Sequence, residues 1–289
     1  MDPKQIVLLA FQVSIAATVF GFGLGATRED LLYLWRRPTL FGRSLVSVLV
    51  VMPVVALLLA QAFDFRPLVE IALIALSISP IPPLLPGRMH KGGGNDAYGV
   101  SLLLWLSIIA IIVVPLASFA LSAWFGQEAV APPSKIARLM LVMVVIPMAA
   151  GAFVRARFPA IAARIERPLL FAAKVLLLLA AVALLAAAWR ALRDAMGDGT
   201  IVAIVVFVVA GLAVGHYLGG PSRQTSVVLA LATACRHPVV ALTIASASFP
   251  ERHFGGTILL YVLVATLVAL PYVMFQHRCE QPPATPTQA

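Results

Sequence analysis

The feature that most constrains this chain is a series of nine long apolar runs separated by short polar segments. A membrane-spanning helix needs about 20 mainly apolar residues, and each run comes close to that length. Hydrophobic residues make up 61% of the sequence and charged residues only 11%, against about 25% charged residues in a typical soluble domain. We therefore predict an all-α polytopic membrane protein. The nine predicted spans cover residues 5–26, 40–63, 67–86, 100–125, 136–153, 168–189, 200–218, 225–249 and 254–275.

The basic residues predict the orientation of these spans, because positive charge in short loops marks the cytoplasmic side of a membrane. Of the 21 Lys and Arg residues, twelve lie in or beside the odd-numbered loops and the C-terminal segment, seven lie on the other side and two lie inside spans. This asymmetry predicts a multi-pass protein of the plasma (inner) membrane, with its N-terminus outside and its C-terminus in the cytoplasm. It also accounts for the net charge of +9 without a nucleic-acid partner. An anion-attracting role for the same charges is the alternative.

Two of the predicted spans contain residues that interrupt a helix. Proline lacks an amide N–H and restricts the residue before it, so a run of prolines prevents a continuous helix. The interrupting residues are Pro80, Pro82, Pro83 and Pro86 in span three, and Pro238 in span eight. Because unpaired backbone at membrane depth must lie within protein or line a water-filled cavity, both breaks are predicted to face the interior. Prolines without such a role, which are common in membrane helices, are the alternative.

The two breaks lie five spans apart, so the broken helices run in opposite directions. This spacing predicts an inverted repeat in which spans one to four match spans six to nine, and secondary transporters commonly place their binding site where such broken helices meet. We predict one transporter domain over residues 1–289. Its parts are a first repeat at 1–125, a fifth span and loop at 126–166, a second repeat at 167–277 and a cytoplasmic tail at 278–289.

The stretch at residues 19–60 resembles the bile acid:sodium symporter family. It combines a glycine-rich helix end, an acidic loop, the pair Arg37-Pro38, and the pair Met52-Pro53 in the next helix. The pattern of spans is similar to that family along nearly the whole chain. The resemblance implies two inverted repeats of five helices whose broken helices cross at the centre, and nine spans match that fold without its first helix.

Two further stretches support the resemblance, and both cover a break. Within residues 79–102, Ser79-Pro80 lies where the family has Cys-Pro, and Gly94-Asn95 lies where it has Gly-Asn. Span eight lies where the family has a stretch with an acidic residue, Gly, Gln and Asn. Because the family moves organic anions such as bile acids together with sodium, the resemblance implies a secondary transporter of a small organic anion.

The positions that the resemblance assigns to sodium ligands carry other residue types here. They fall on Leu85, Pro86, Thr233 and the pair His237-Pro238, with the ligands of the helix after the first break falling near Gly99 and Leu103. Glu70, near the outer end of span three, is the only acidic residue in a predicted span, although sodium prefers oxygen ligands and benefits from a nearby negative charge. We therefore expect no cofactor, no metal site built from side chains, and transport that is independent of sodium. A weak sodium site built from backbone carbonyls and hydroxyl groups is the alternative.

Arg236 and His237 stand directly before the second break. An arginine at this depth is costly, so it must face protein or water. By resemblance its guanidinium occupies the space where the family keeps sodium, either orienting an anionic substrate or holding the broken helix through backbone carbonyls. The imidazole of His237 could carry a coupling proton, or it could be neutral and bonded to the backbone.

The predicted site lies at the two breaks. Its substrate-binding residues are Arg236, His237, Thr233, Ser79 and Asn95. A non-transporting sensor or partner subunit on the same scaffold is the alternative function. An enzyme is not expected, because the sequence has no P-loop, no zinc-ligand spacing and no nucleophile with a base inside the spans. The expected partners are the organic anion and the lipid bilayer, and no particular protein partner is predicted.

Overall fold

The described part of the chain is built from helices and contains no strand. A computed structural model describes residues 3–278 except 64, 125–131, 198 and 250, so the predicted end of span four at 125 and the tail beyond 278 lie outside the described residues. In chain order the helices are α1 (Pro3–Gly25), α2 (Arg28–Leu31), α3 (Pro38–Ala62), α4 (Pro67–Ile78), α5 (Leu85–Lys91), α6 (Asp96–Trp124), α7 (Pro133–Arg157), α8 (Pro159–Ala187), α9 (Trp189–Ala195), α10 (Thr200–Leu218), α11 (Arg223–Ala234), α12 (Pro238–Ser248) and α13 (Gly255–Arg278).

Eight stretches of the described chain are helical, apolar and long enough to cross a membrane. They are α1, α3, α6, α7, α8, α10, the pair α11–α12 taken as one span, and α13. The prediction of an all-α polytopic membrane protein is therefore confirmed. The predicted third span is not one helix, because α4 has only 12 residues and ends before the prolines. The count of nine spans and the inverted repeat remain predictions.

The predicted start of span six is wrong. The predicted span starts at Pro168, but α8 begins at Pro159 and continues through Pro168, and only Phe158 separates α7 from α8. A proline inside a membrane helix is tolerated when neighbouring groups satisfy the backbone that it frees. The predicted boundary between residues 166 and 167 falls inside α8. The limits of the two repeats remain predictions.

Two of the long helices contain a wide π-helical turn just before a proline. In α3 the turn covers Val46–Val51 and Pro53 follows; in α7 it covers Leu141–Val145 and Pro147 follows. A π-helix pairs each N–H with the carbonyl five residues earlier, and proline has no N–H to donate. The carbonyl five residues before each proline is therefore left without a partner inside its own helix.

The helices form two groups. In one group, α1, α7 and α8 pack against each other, while α3, α4, α5, α10, α11, α12 and α13 pack around the breaks, and α6 contacts both groups. Glycines allow the closest approaches, since a Cβ on Gly23 of α1 or on Gly151 of α7 would strike the backbone of the other helix. In the apolar 18-residue stretch of α11–α12, 78% of the residues are buried, against 11% in the corresponding stretch of α8. The second broken span is therefore central and α8 is peripheral.

Candidate functional site at the crossing of two broken helices

The first break is a six-residue segment rich in proline. Helix α4 ends at Ile78, and α5 begins at Leu85. Pro80, Pro82 and Pro83 lie in the non-helical segment between them, so this backbone offers mainly carbonyl oxygens and few N–H donors. Pro86, predicted as part of the break, lies in the first turn of α5, where a missing N–H is readily tolerated.

The second break is shorter and chemically different. Helix α11 ends at Ala234, Cys235 has an extended backbone, and Pro238 is the first residue of α12. The three residues between the half-helices keep their N–H groups. The sequence analysis placed this break correctly, with Pro238 as the residue that starts the second half-helix.

The two breaks meet inside the protein. The backbone N–H of His237 donates to the carbonyl oxygen of Pro80 over 2.8 Å. Around this contact α4 packs against α12, and α5 packs against α11. Each half-helix therefore touches a half-helix of the other broken span, and the predicted crossing is present.

The guanidinium of Arg236 joins three segments at the crossing. Its side chain is buried, with 1% of the residue exposed. Nη1 donates to the carbonyl oxygen of Ser79 over 3.1 Å, and Nη2 donates to the carbonyl oxygen of Val48 over 2.6 Å. Val48 lies five residues before Pro53, so its carbonyl is the one that the π-turn of α3 leaves unpaired. Arg236 thus satisfies backbone acceptors that two prolines have freed.

Tyr261 of α13 closes the second break from another side. Its hydroxyl accepts the backbone N–H of Arg236 over 2.8 Å and donates to the carbonyl oxygen of Ala234 over 2.9 Å. Both backbone groups lost their helical partners where α11 ended. Sequence reasoning missed Tyr261, because nothing near it in the chain indicates that its partner is a break 25 residues away.

The predicted hydroxyl residues lie at the crossing, but their hydroxyls are engaged. Thr233 donates to the carbonyl oxygen of Leu229 over 2.8 Å and pairs with the hydroxyl of Ser47 over 2.7 Å. The hydroxyl of Ser79 donates to the carbonyl oxygen of Leu76 over 2.7 Å. Both Ser79 and Thr233 are fully buried. In this conformation they stabilise the ends of the half-helices.

His237 caps the helix that follows it. Its Nδ1 accepts the backbone N–H of Val240 over 3.5 Å, a long contact at the start of α12. An imidazole that accepts at Nδ1 is neutral and carries its proton on Nε2. Nε2 is buried and has no hydrogen-bond partner among the described residues. This geometry matches the alternative of a neutral imidazole bonded to the backbone.

Asn95 lies away from the other four predicted site residues. Its Oδ1 accepts the backbone N–H of Tyr98 over 2.8 Å at the start of α6, and its own N–H donates to the carbonyl oxygen of Gln224 over 3.2 Å. It borders an open cleft of about 710 Å³ next to the start of α11. The cleft is lined by His90, Lys91, Gly93, Gly94, Asn95, Asp96, Gln224 and His277.

Arg88 is a residue that the sequence analysis did not single out. It lies on α5, where its Nη2 donates to the hydroxyl of Thr266 of α13 over 3.0 Å. It had been counted as a loop charge, because the predicted span ended at Pro86. A proline at the start and a glycine after the end are typical of a helix, and Pro86 with Gly92 bound α5 in this way.

Two interrupted helices that meet within an all-α bundle are the arrangement of many secondary transporters. A family model described as "Sodium Bile acid symporter family" matches residues 13–195 of the chain, which is more than half of it. The chain therefore belongs to the Sodium Bile acid symporter family, a family of transporters, and the resemblance seen in the sequence is confirmed.

Two relatives point the same way. The chain is 24% identical over 280 residues to a "Sodium-dependent organic anion transporter" of Mus musculus. The aligned region covers 94% of this chain and 71% of that protein. It is 23% identical over 280 residues to the protein of the same name from Rattus norvegicus, covering 94% of this chain and 72% of that protein.

Proposed function

We propose that this protein is a secondary transporter of a small organic anion. The observation that carries the proposal is the guanidinium of Arg236, which is 1% exposed and has no carboxylate within 4 Å in the described part of the chain. A charge that is buried without a counterion favours an anion nearby. Membership of a transporter family and the names of the two relatives support the same substrate class.

We further propose that transport does not require sodium, although both relatives are named as sodium-dependent. The carbonyl oxygens of Ser79 and Val48 already accept from Arg236, and such oxygens are the ligands that a sodium ion would need. A second cation beside the guanidinium would be repelled. The described residues also contain no group of three or more His, Cys, Asp and Glu side chains that could hold a metal ion. The two contacts of Arg236 support a crossing that holds a guanidinium in place of a sodium ion.

In this proposal the five predicted site residues have different parts. Arg236, Ser79, Thr233 and His237 form a rigid frame at the crossing, since each is buried and each bonds to backbone. Asn95 caps α6 beside the open cleft. The excess of Lys and Arg in the odd-numbered loops supports an N-terminus outside, a C-terminus in the cytoplasm and a place in the plasma (inner) membrane.

The test is solute uptake by the purified full chain in liposomes. Radiolabelled taurocholate, cholate, benzoate and pyruvate are offered with an inward sodium gradient, and separately with potassium on both sides. We expect at least one anion to enter the liposomes at the same initial rate in both conditions. Entry only with sodium overturns the sodium-independent mechanism. Binding of an anion without entry in either condition overturns transport, and it is the result expected of a non-transporting sensor.

The same liposomes test whether His237 carries a proton. With its Nδ1 accepting from the backbone, the ring acts as a helix cap, so we expect uptake to vary little between about pH 5 and 8, where histidine charge normally changes. A change in rate within this range that disappears in His237→Asn, which keeps a side-chain acceptor for the cap, would assign the proton to this residue.

A further inference from the structure

We infer that Arg88 binds the charged group of the transported anion, while Arg236 holds the helices that surround it. This inference rests on the proposed function and assigns different tasks to the two arginines at the crossing. It begins from their position, since Arg236 lies in the second break and Arg88 lies on the half-helix that follows the first break. The half-helix α5 packs against α11, which ends directly before Cys235 and Arg236.

The two terminal nitrogens of Arg236 are committed to the protein. Nη1 and Nη2 donate to backbone carbonyls, its Nε is buried without a hydrogen-bond partner in the described part of the chain, and the residue is 1% exposed. A ligand would have to displace the carbonyls of Ser79 and Val48 to reach it. These acceptors have no alternative donor, because the first break removed the helical partner of Ser79 and the π-turn of α3 removed that of Val48. Arg236 therefore contributes its charge to the crossing but not a free binding group.

Arg88 differs in the features that binding requires. Its residue is half-buried, and the hydroxyl of Thr266 takes one of its five N–H donors. Its Nε and Nη1 have no hydrogen-bond partner among the described residues, and neither atom is buried. This edge of the guanidinium is thus open to a ligand, and a planar guanidinium suits a carboxylate or sulfonate through two parallel hydrogen bonds.

The local charge supports an anionic ligand. Within the described residues, neither Arg88 nor Arg236 has a carboxylate within 4 Å, and the ion pairs there join Arg36 with Glu29 and His90 with Asp96. The positive charge of Arg236, buried with 1% of the residue exposed, is unfavourable until an anion comes near it. A monoanion bound at Arg88 would lower this cost.

The experiment measures anion binding to the purified full chain in detergent by calorimetry and by thermal stabilisation. Cholate, taurocholate, benzoate and pyruvate are titrated into the wild type, and the tightest ligand is carried into the variants. Because charged hydrogen bonds contribute about 1.5–3 kcal/mol, we expect Arg88→Ala to raise the Kd about 10- to 100-fold. Arg88→Lys, which keeps the charge but loses the two-bond geometry, should give an intermediate Kd.

Two control variants separate binding from structure. Arg190→Ala removes the same charge from an exposed position on α9, away from both breaks, and should change the Kd by less than about twofold. Thr266→Val removes the contact of Arg88 with α13. If Arg88 acts only by tying α5 to α13, Thr266→Val will weaken binding as much as Arg88→Ala does, and the inference is overturned. Methyl cholate, which lacks the charge, should bind wild type and Arg88→Ala alike.

The failure of this inference is distinguishable from the failure of the proposed function. If no anion of the panel stabilises the wild type or is taken up, organic-anion transport is wrong and Arg88 loses its ligand with it. If the wild type binds an anion and Arg88→Ala binds it equally well, only the assignment of Arg88 is wrong. If Arg88→Ala does not fold, the Kd of Arg88→Lys decides, and a wild-type value contradicts the inference.

Discussion

The two breaks that cross in this protein have opposite hydrogen-bonding character. The first break contains Pro80, Pro82 and Pro83 and presents carbonyl oxygens, whereas the second keeps its N–H groups and adds the guanidinium of Arg236. Neither segment could be buried alone, because unpaired backbone groups at membrane depth cost several kcal/mol. The difference teaches that the breaks are complementary, with acceptors on one broken helix and donors on the other.

The breaks also differ in how they are supported. Apart from its bonds to the second break, the first is stabilised from within, since the hydroxyl of Ser79 donates to the carbonyl of Leu76 and the N–H of Leu85 donates to the carbonyl of Pro82. The second depends on neighbouring spans. Helix α13 supplies the hydroxyl of Tyr261, and Gly211 and Gly215 let α10 approach the backbone of α11 closely. Damage to neighbouring helices should therefore affect the second break more than the first.

The largest effect is expected when the donor shared by both breaks is removed. Arg236→Ala leaves the carbonyls of Ser79 and Val48 buried without a donor and opens a cavity. We expect a loss of about 3–5 kcal/mol in the free energy of unfolding, and a midpoint of thermal unfolding in detergent that is lower by about 6–20 °C. Arg190→Ala removes the same charge from an exposed position and should leave the midpoint unchanged.

Arg236→Lys sharpens this prediction, because one ammonium can reach fewer carbonyls than the planar guanidinium. Its stability should lie between those of the wild type and Arg236→Ala. If Arg236→Ala unfolds at the wild-type midpoint, the hydrogen bond between Arg236 and Ser79 does not stabilise the fold. The proposed complementarity of the two breaks would then be contradicted.

A smaller loss is expected from crowding the second break. A Cβ on Gly215 of α10 would lie 2.6 Å from the Cα of Ala230 and 2.7 Å from the hydroxyl oxygen of Thr233. Gly215→Ala should therefore cost about 2–3 kcal/mol, as overpacking does in a dense interior. Near the first break, Gly87 of α5 has room, its nearest neighbour being Phe22 at 3.8 Å.

Gly87→Ala is the matched control, and the thermal midpoints of the two variants are compared in the same detergent. It should change stability by less than about 0.5 kcal/mol in either direction, because alanine also favours a helix over glycine. Equal losses for both variants would contradict the difference in support between the two breaks.

The sequence was sufficient to locate both breaks and to predict that they meet. Prolines act locally, and a spacing of five spans dictates opposite directions, so neither inference needed the tertiary structure. Pro168 was misread for the same reason, since a proline that starts a helix and a proline tolerated inside one look alike in sequence. The partners of Arg236 had no such local signal, because Val48 lies 188 residues away.

The smallest losses of stability are expected when single hydroxyl groups at the breaks are removed. They distinguish a break that is stabilised by a neighbouring span from one that is stabilised by its own residues. Tyr261→Phe leaves the buried N–H of Arg236 and the carbonyl of Ala234 without their shared partner, at a cost of about 1–2 kcal/mol. Ser79→Ala should cost only about 0.5 kcal/mol, because the carbonyl of Leu76 keeps the backbone N–H of Ser79 as a donor at 3.1 Å. Chemical unfolding of the two variants side by side measures this difference. A larger loss for Ser79→Ala would contradict this comparison. It would mean that the hydroxyl of Ser79 stabilises the first break more than the hydroxyl of Tyr261 stabilises the second.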